Sequence, residues 1–151
     1  MRIEVHFTRE RIVRPAPEAD AGGGEAGAWV EFAGIVRGVE EGRRIAALEY
    51  EAYETMALRV MREILATLAA RHPCEAVRVI HRVGVIPVGE TAIWIGAASS
   101  HRREALALVT EFMDRLKQDV PIWKRRALAA GELSTSSHEP ESGNRDSACL
   151  S

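Results

Sequence analysis

The sequence predicts an α+β fold in which two helices pack on a mainly antiparallel sheet, and three observations carry that prediction. Two long stretches, near residues 55–70 and 101–118, repeat apolar residues at helical spacing. Shorter stretches between them alternate apolar and polar residues or run wholly apolar, as strands do. Their order, β, ββ, α, ββ, α, β, lacks the strict alternation that builds a parallel sheet with a helix after every strand.

Ile3 to Phe7 alternates enough to be the first strand. Arg14-Pro15-Ala16-Pro17 and Ala21-Gly22-Gly23-Gly24 then mark a loop, because proline lacks an N–H and a glycine run has nothing to pack. From Ala28 to Arg37 a strand places Ala28, Val30, Phe32, Gly34 and Val36 on one face, with Trp29, Glu31 and Arg37 on the other. Gly38 and Glu40-Glu41-Gly42 turn the chain, and Ile45 to Tyr53 is expected to return against that strand as a hairpin. Between Thr55 and Ala70 the period changes. Met56, Val60, Met61, Ile64, Leu65 and Leu68 form one stripe, while Arg59, Arg62, Glu63 and Thr67 face away, and Pro73 closes the helix.

Val77 to Val83 alternates again, Pro87-Val88-Gly89-Glu90 turns, and Thr91 to Ala98 is apolar enough for a central strand. The second helix, from about His101 to Gln118, buries Ala105, Leu108, Val109, Phe112 and Leu116 and leaves Glu104, Glu111, Asp114 and Arg115 wet. Pro121 ends it, and Ile122 to Leu128 is the last strand. The domain is therefore drawn over residues 1–130, and residues 131–151, polar and rich in Gly, Ser and Glu, are expected to be a disordered tail.

Composition narrows the class of function. A chain of 151 residues that is 46% hydrophobic and 28% charged has the makeup of a soluble globular domain. No apolar run approaches the ~18 residues of a membrane span, and Met1-Arg2-Ile3-Glu4 does not open a secretory signal. A formal charge of −2 argues against a general nucleic-acid binder. Cys74 and Cys149 form neither a metal spacing nor a disulfide framework. A cytoplasmic protein is expected.

Three segments carry candidate chemistry. Of 20 basic residues, only Lys117 and Lys124 are lysines, and a proline corner at Pro121 lies between them. Folding back there brings both amines towards one pocket, where neighbouring ammonium groups disfavour each other's charge and ready one for nucleophilic or acid–base work. The alternative is a lysine that complements the helix dipole, with Trp123 as core. Ser99-Ser100-His101-Arg102-Arg103 opens the second helix with cations where acidic residues are favoured, which suits either an anion such as a phosphate or a solvated basic turn. Ser99 or Ser100 is expected to cap that helix. Arg37, flanked by Gly34 and Gly38, is a further anion-binding candidate. His101 and Lys117 lie about 24 Å apart at ~1.5 Å per residue. They serve separate sites, or a second copy brings its His101 and Arg102 to this copy's lysines in a symmetric dimer.

Taken in register, Phe32-Ala33-Gly34-Ile35-Val36-Arg37, Leu48-Glu49-Tyr50-Glu51-Ala52-Tyr53, Val79-Ile80-His81-Arg82-Val83-Gly84, Ser100-His101-Arg102 and Pro121-Ile122-Trp123-Lys124-Arg125 resemble the large, catalytic subunit of molybdopterin synthase. The resemblance implies an α/β-hammerhead-like α+β fold and a homodimer at the centre of a heterotetramer. It also implies a small ubiquitin-like sulfur-carrier subunit whose C-terminal thiocarboxylate enters the pocket. Sulfur then passes in two rounds to cyclic pyranopterin monophosphate, giving molybdopterin, with no metal and no cofactor. Lys117 and Lys124 are the implied catalytic residues. Ile35, Val36, Arg37, His101, Arg102, Arg125 and Arg126, together with both lysines, are the implied substrate-binding set. The sequence departs from the family's pattern at Gly38, where an asparagine is usual, and at Arg126, where an acidic residue is common. It departs also after Gly131-Glu132-Leu133, where a closing strand with a tryptophan is often found. The competing reading is a non-catalytic module that binds a ubiquitin-like carrier or a phosphorylated ligand.

Overall fold

Alternation of period two and stripes of period 3.6 become strands and helices close to where the sequence places them, but the strands choose partners that periodicity does not specify. The computed structural model describes residues 1–16 and 23–133. Strand β1 spans Arg2–Thr8, β2 Ala28–Ile35, the short β3 Val39–Glu40, β4 Arg43–Arg44 and β5 Ala47–Ala52. Helix α1 (Glu54–Ala69) is followed by β6 (Ala76–Arg82), β7 (Gly84–Pro87) and β8 (Thr91–Ser99). Helix α2 (Arg102–Asp119) leads into β9 (Ile122–Leu128). The two helices on mainly antiparallel sheets make the α+β class that was expected.

One sheet runs β1-β6-β8-β2, with β1 parallel to β6 and the other pairings antiparallel. A second runs β7-β5-β9, all antiparallel. The expected hairpin between the second and third strands does not form: β2 is an edge strand on β8, and β5 lies at the centre of the other sheet. The turn between them makes its own small hairpin instead, β3 on β4. Its central residues, Glu41 (φ 49°) and Gly42 (φ 77°), both adopt the left-handed conformation that matches the twist of a tight hairpin. Strand β7 was also unexpected. Gly84 at φ 89° lets the chain leave β6 and enter the second sheet almost at once, so a stretch that reads as an approach to a turn pairs with β5.

Both helices pack on the four-stranded sheet and on each other, α1 against β1 and α2 against β2 and β8. The core between them holds Met61, Leu65, Leu68, Val79, Ile95, Leu108 and Phe112. Burying each large side chain there contributes about 1.5–3 kcal/mol before the entropy of ordering it. The buried set of α2 is the one its periodicity predicts. On α1, Met56 is 51% exposed and Ala57 is buried in its place. Met56 lies one residue, about 100°, round the helix from Ala57 and so falls off the buried stripe. Glu104 and Glu111, expected wet, are half-buried, and Glu111 pairs with Arg71 and His72 from the end of α1. A smaller cluster, Val36, Leu48, Ile86 and Ala92, joins the two sheets. Of the expected loop, residues 17–22 lie outside the described residues, as does the expected tail from residue 134 and with it Cys149.

Candidate functional site

Where α2 ends, the proline corner turns the chain back. Val120 is extended (φ −90°, ψ 130°), its N–H donates to the Leu116 carbonyl, and Pro121 gives its carbonyl to the Tyr53 N–H at 3.1 Å. This corner sets the last turn of α2 and the start of β9 on either side of a cavity of about 430 Å3. Met113, Leu116 and Lys117 line it from the helix, and Ile122, Trp123 and Lys124 from β9. Phe32, Gly34 and Ile35 close it from β2, Ala92 and Ile93 from β8, and Tyr50 and His81 from β5 and β6. The two lysines of the chain thus meet in one cavity, as the corner predicts.

Their surroundings differ. Lys124 Nζ donates to Glu40 Oε1 at 2.6 Å, so its ammonium is balanced by a carboxylate brought in by the β3–β4 hairpin. Lys117 is exposed and makes no ion pair among the described residues. Tyr50 lies beside the Lys124–Glu40 pair. Burial raises its hydroxyl above the usual phenol range, Lys124 opposes that shift and Glu40 adds to it. His81 is 4% exposed, and burial pushes its pKa down to about 4 against a hydrogen bond from Nδ1 to the Arg82 carbonyl. Trp123 is not the core residue that the sequence suggested. Its ring is 36% exposed at the cavity and lies 5.1 Å from that of Tyr53.

The structure brings Ile35, Lys117 and Lys124 together and sets the other predicted residues elsewhere. Val36 is buried in the smaller cluster, its N–H donates to Glu90 and its carbonyl accepts from Gly89. Arg37 follows it, exposed. Arg125 and Arg126 both reach Glu49, and Arg125 lines a separate cleft with Arg9 and Glu54. His101 and Arg102 stand at the opposite end of α2. His101 lines a cavity of about 260 Å3 with Cys74, Glu75, Ser100 and Glu104. Neither serine caps the helix: Ser99 Oγ donates to the His101 carbonyl at 2.5 Å, and Ser100 Oγ to Glu75 Oε1 at 2.7 Å. Burial first, then the nearby carboxylates of Glu75 and Glu104, pushes the Cys74 thiol up to about 11, which makes it inert as a nucleophile at neutral pH.

Sequence reasoning missed Tyr50, His81 and Glu40. A histidine in an apolar strand reads as core, and His81 does share the face of Val77 and Val79. The signal available was that it is the last residue of that face, where the core gives way to the cavity. Among the described residues no group of three or more His, Cys, Asp or Glu side chains is placed to hold a metal ion, and no helix is long and apolar enough to cross a membrane.

Comparison with known proteins finds the family described as MoaE protein over residues 8–119. The molybdopterin synthase catalytic subunit of Oryza sativa subsp. indica is 39% identical over 108 residues, 72% of this chain and 56% of that protein. The chain therefore spans little more than half of that relative. Molybdopterin synthase catalytic subunit 2 of Aedes aegypti is 41% identical over 107 residues, 70% of this chain and 69% of that one. Among solved structures, molybdopterin synthase from Staphylococcus aureus superposes with a TM-score of 0.73 at 30% identity, covering 78% of this chain and 86% of that one. A protein–protein complex of subunits 1 and 2 of the molybdopterin-converting factor from Helicobacter pylori 26695 shares the fold, with a TM-score of 0.57 at 24% identity over 72% of this chain and 74% of that one.

Proposed function

This chain belongs to the MoaE protein family, and on that premise we propose that it is the catalytic subunit of a molybdopterin synthase. In this reading it moves sulfur from the C-terminal thiocarboxylate of a small ubiquitin-like carrier to cyclic pyranopterin monophosphate, in two rounds. The observation that carries it is the meeting of the chain's two lysines in one cavity of about 430 Å3.

The cavity suits an anionic tail and an anionic substrate. An extended tail ending in a thiocarboxylate enters along the apolar wall of Phe32, Ile35 and Trp123. Lys117, which has no carboxylate partner among the described residues, meets its negative end. Lys124, already held by Glu40, is a fixed positive charge against which negative charge develops as sulfur adds. Arg125 and Arg126 contribute positive potential from the neighbouring face of β9, and Ile35 and Val36 shape the backbone that leads to Arg37. His101 and Arg102 cannot reach this cavity within one chain. A second copy supplies them for the pterin phosphate, so the assembly is a homodimer with a carrier on each copy, working in the cytoplasm without a metal or cofactor.

Single-turnover formation of molybdopterin from the cyclic pterin and a thiocarboxylated carrier tests the reading, with residues after Ala130 present or removed. Product in both cases supports it and makes the divergent C-terminus dispensable. A carrier that binds while no product forms in either case selects the binding module instead.

A further inference from the structure

His81 is buried, yet it belongs to the wall of the lysine cavity. Its ring stands between two aromatic rings, with the Phe7 centroid 5.9 Å away and that of Tyr50 5.6 Å away at an interplanar angle of 67°. Nδ1 lies 2.8 Å from the Arg82 carbonyl oxygen. A carbonyl has no proton to give, so Nδ1 carries the hydrogen and donates it. In a neutral ring Nε2 is then an acceptor with its lone pair free, and Nε2 has no hydrogen-bond partner among the described residues. The tautomer is fixed by the backbone, the ring by its two aromatic neighbours, and neutrality by burial.

The cavity is otherwise rich in donors. Lys117, Lys124 and the indole of Trp123 give hydrogen bonds. Among the lining side chains only the Tyr50 hydroxyl and His81 Nε2 accept them well. A peptide that threads this cavity brings carbonyls, which the lysines satisfy, and main-chain N–H groups, which they do not. An N–H taken out of water without an acceptor costs about 1–3 kcal/mol. We propose that Nε2 of His81 accepts a main-chain N–H of the peptide tail that enters the cavity, so that His81 is a positioning residue that fixes how far the tail advances towards Lys117. The inference rests on the carrier-tail reading above and adds the group that registers the tail. Burial lowers the ring's pKa to about 4, so the ring rests neutral at neutral pH and Nε2 stays an acceptor.

Two substitutions separate this role from a structural one. The side-chain amide of His81→Asn reaches the Nδ1 position and keeps the bond to the Arg82 carbonyl, but offers nothing at Nε2. That of His81→Gln reaches the Nε2 position and can accept there, but gives up the Arg82 bond. Affinity for the thiocarboxylated carrier is measured by calorimetry without pterin, beside the thermal midpoint of each variant. His81→Asn is expected to bind the carrier about tenfold more weakly, the loss of roughly one hydrogen bond, with a near-normal midpoint. His81→Gln is expected to bind within about threefold of wild type despite a lower midpoint. In turnover, His81→Asn raises KM for the carrier more than it lowers kcat.

The reverse order, with Asn normal and Gln weak, makes the histidine a structural residue and overturns the proposal. So does equal carrier affinity in both variants, including the case in which only pterin affinity falls and the acceptor serves the pterin. A wild-type protein that binds the carrier with the expected order of variants but transfers no sulfur overturns the sulfur-transfer reading and leaves this inference standing.

Discussion

At its C-terminal end α2 delivers Lys117 into a cavity lined by five strands, whereas at its N-terminal end the same helix holds His101 and Arg102 exposed. The two ends are also fixed by different means. Side-chain packing and the Pro121 corner set the first, with Leu116 buried one residue before the lysine. Hydrogen bonds set the second: Gly27 N–H to the Ser99 carbonyl at 3.0 Å, Ser100 to Glu75, and Ser99 to the carbonyl of His101. Gly27 must be glycine for this, because a Cβ there would stand 2.5 Å from the Ser100 carbonyl oxygen. One end therefore lines a cavity shared with strands of both sheets, and the other is a hydrogen-bonded corner at the surface.

The largest effect that could break this contrast is at Lys117. Replacing Lys117 with Ala should lower single-turnover sulfur transfer by about 10²–10⁴-fold, the range for removing a group that acts in the chemical step. The thermal midpoint should barely move, since the side chain is exposed and makes no ion pair among the described residues. A variant with near-normal turnover would remove Lys117 from the chemistry and leave the cavity as a binding groove.

Next in size is the dependence of stability on pH, which sharpens the contrast by reporting on burial at the closed end. His81 has an ordinary value of 6.5, depressed by burial to about 4. Between those values the unfolded chain takes up a proton that the folded chain refuses. Stability contributed by the neutral ring is thus intact above 6.5 and is lost as the pH falls towards 4, by on the order of 3 kcal/mol in all. Denaturant unfolding between pH 7 and 4 should show this loss in wild type and a shallower one in His81→Asn. Parallel profiles would mean that the ring is not held neutral by burial.

What the sequence showed and what it hid follow the same division between local pattern and distant pairing. The buried stripe of α2 is written at one helix's spacing, so Ala105, Leu108, Val109, Phe112 and Leu116 are legible from periodicity alone. The lysine pair was legible for the same reason, since seven residues and one proline are a local construction. The partner of β2 was not, because alternation tells which face is buried and not which strand lies alongside. Tyr50 and His81 reach the cavity from two different strands, and Glu40 reaches Lys124 from the β3–β4 hairpin, which forms where a plain turn was expected. The arginines show the limit from the other side. Arg125 and Arg126 follow Lys124 directly, yet the strand turns them to Glu49 and away from the lysines.

The smallest of these effects, at His101, bears most directly on what the open end is for. His101 is exposed beside the first turn of α2, whose N–H groups no side chain caps. Loss of one charge-assisted hydrogen bond to a phosphate there should weaken pterin binding about tenfold in His101→Ala, with carrier affinity unchanged because the cavity proposed for the carrier's tail is at the other end of α2. If the two ends belong to one site, they belong to it across two copies, and the variants can be asked to repair each other. Mixing unfolded His101→Ala and Lys117→Ala chains and refolding them gives hybrids in half of the dimers, each with one intact site of two. With the pterin well below saturation, His101→Ala runs at about a tenth of wild type and Lys117→Ala at about a hundredth or less, so the hybrids should raise the mixture to about a quarter of wild-type turnover. If turnover stays at the parental level while hybrid dimers form, then His101 and Lys117 do not meet across an interface. The open corner of α2 would then serve a ligand of its own.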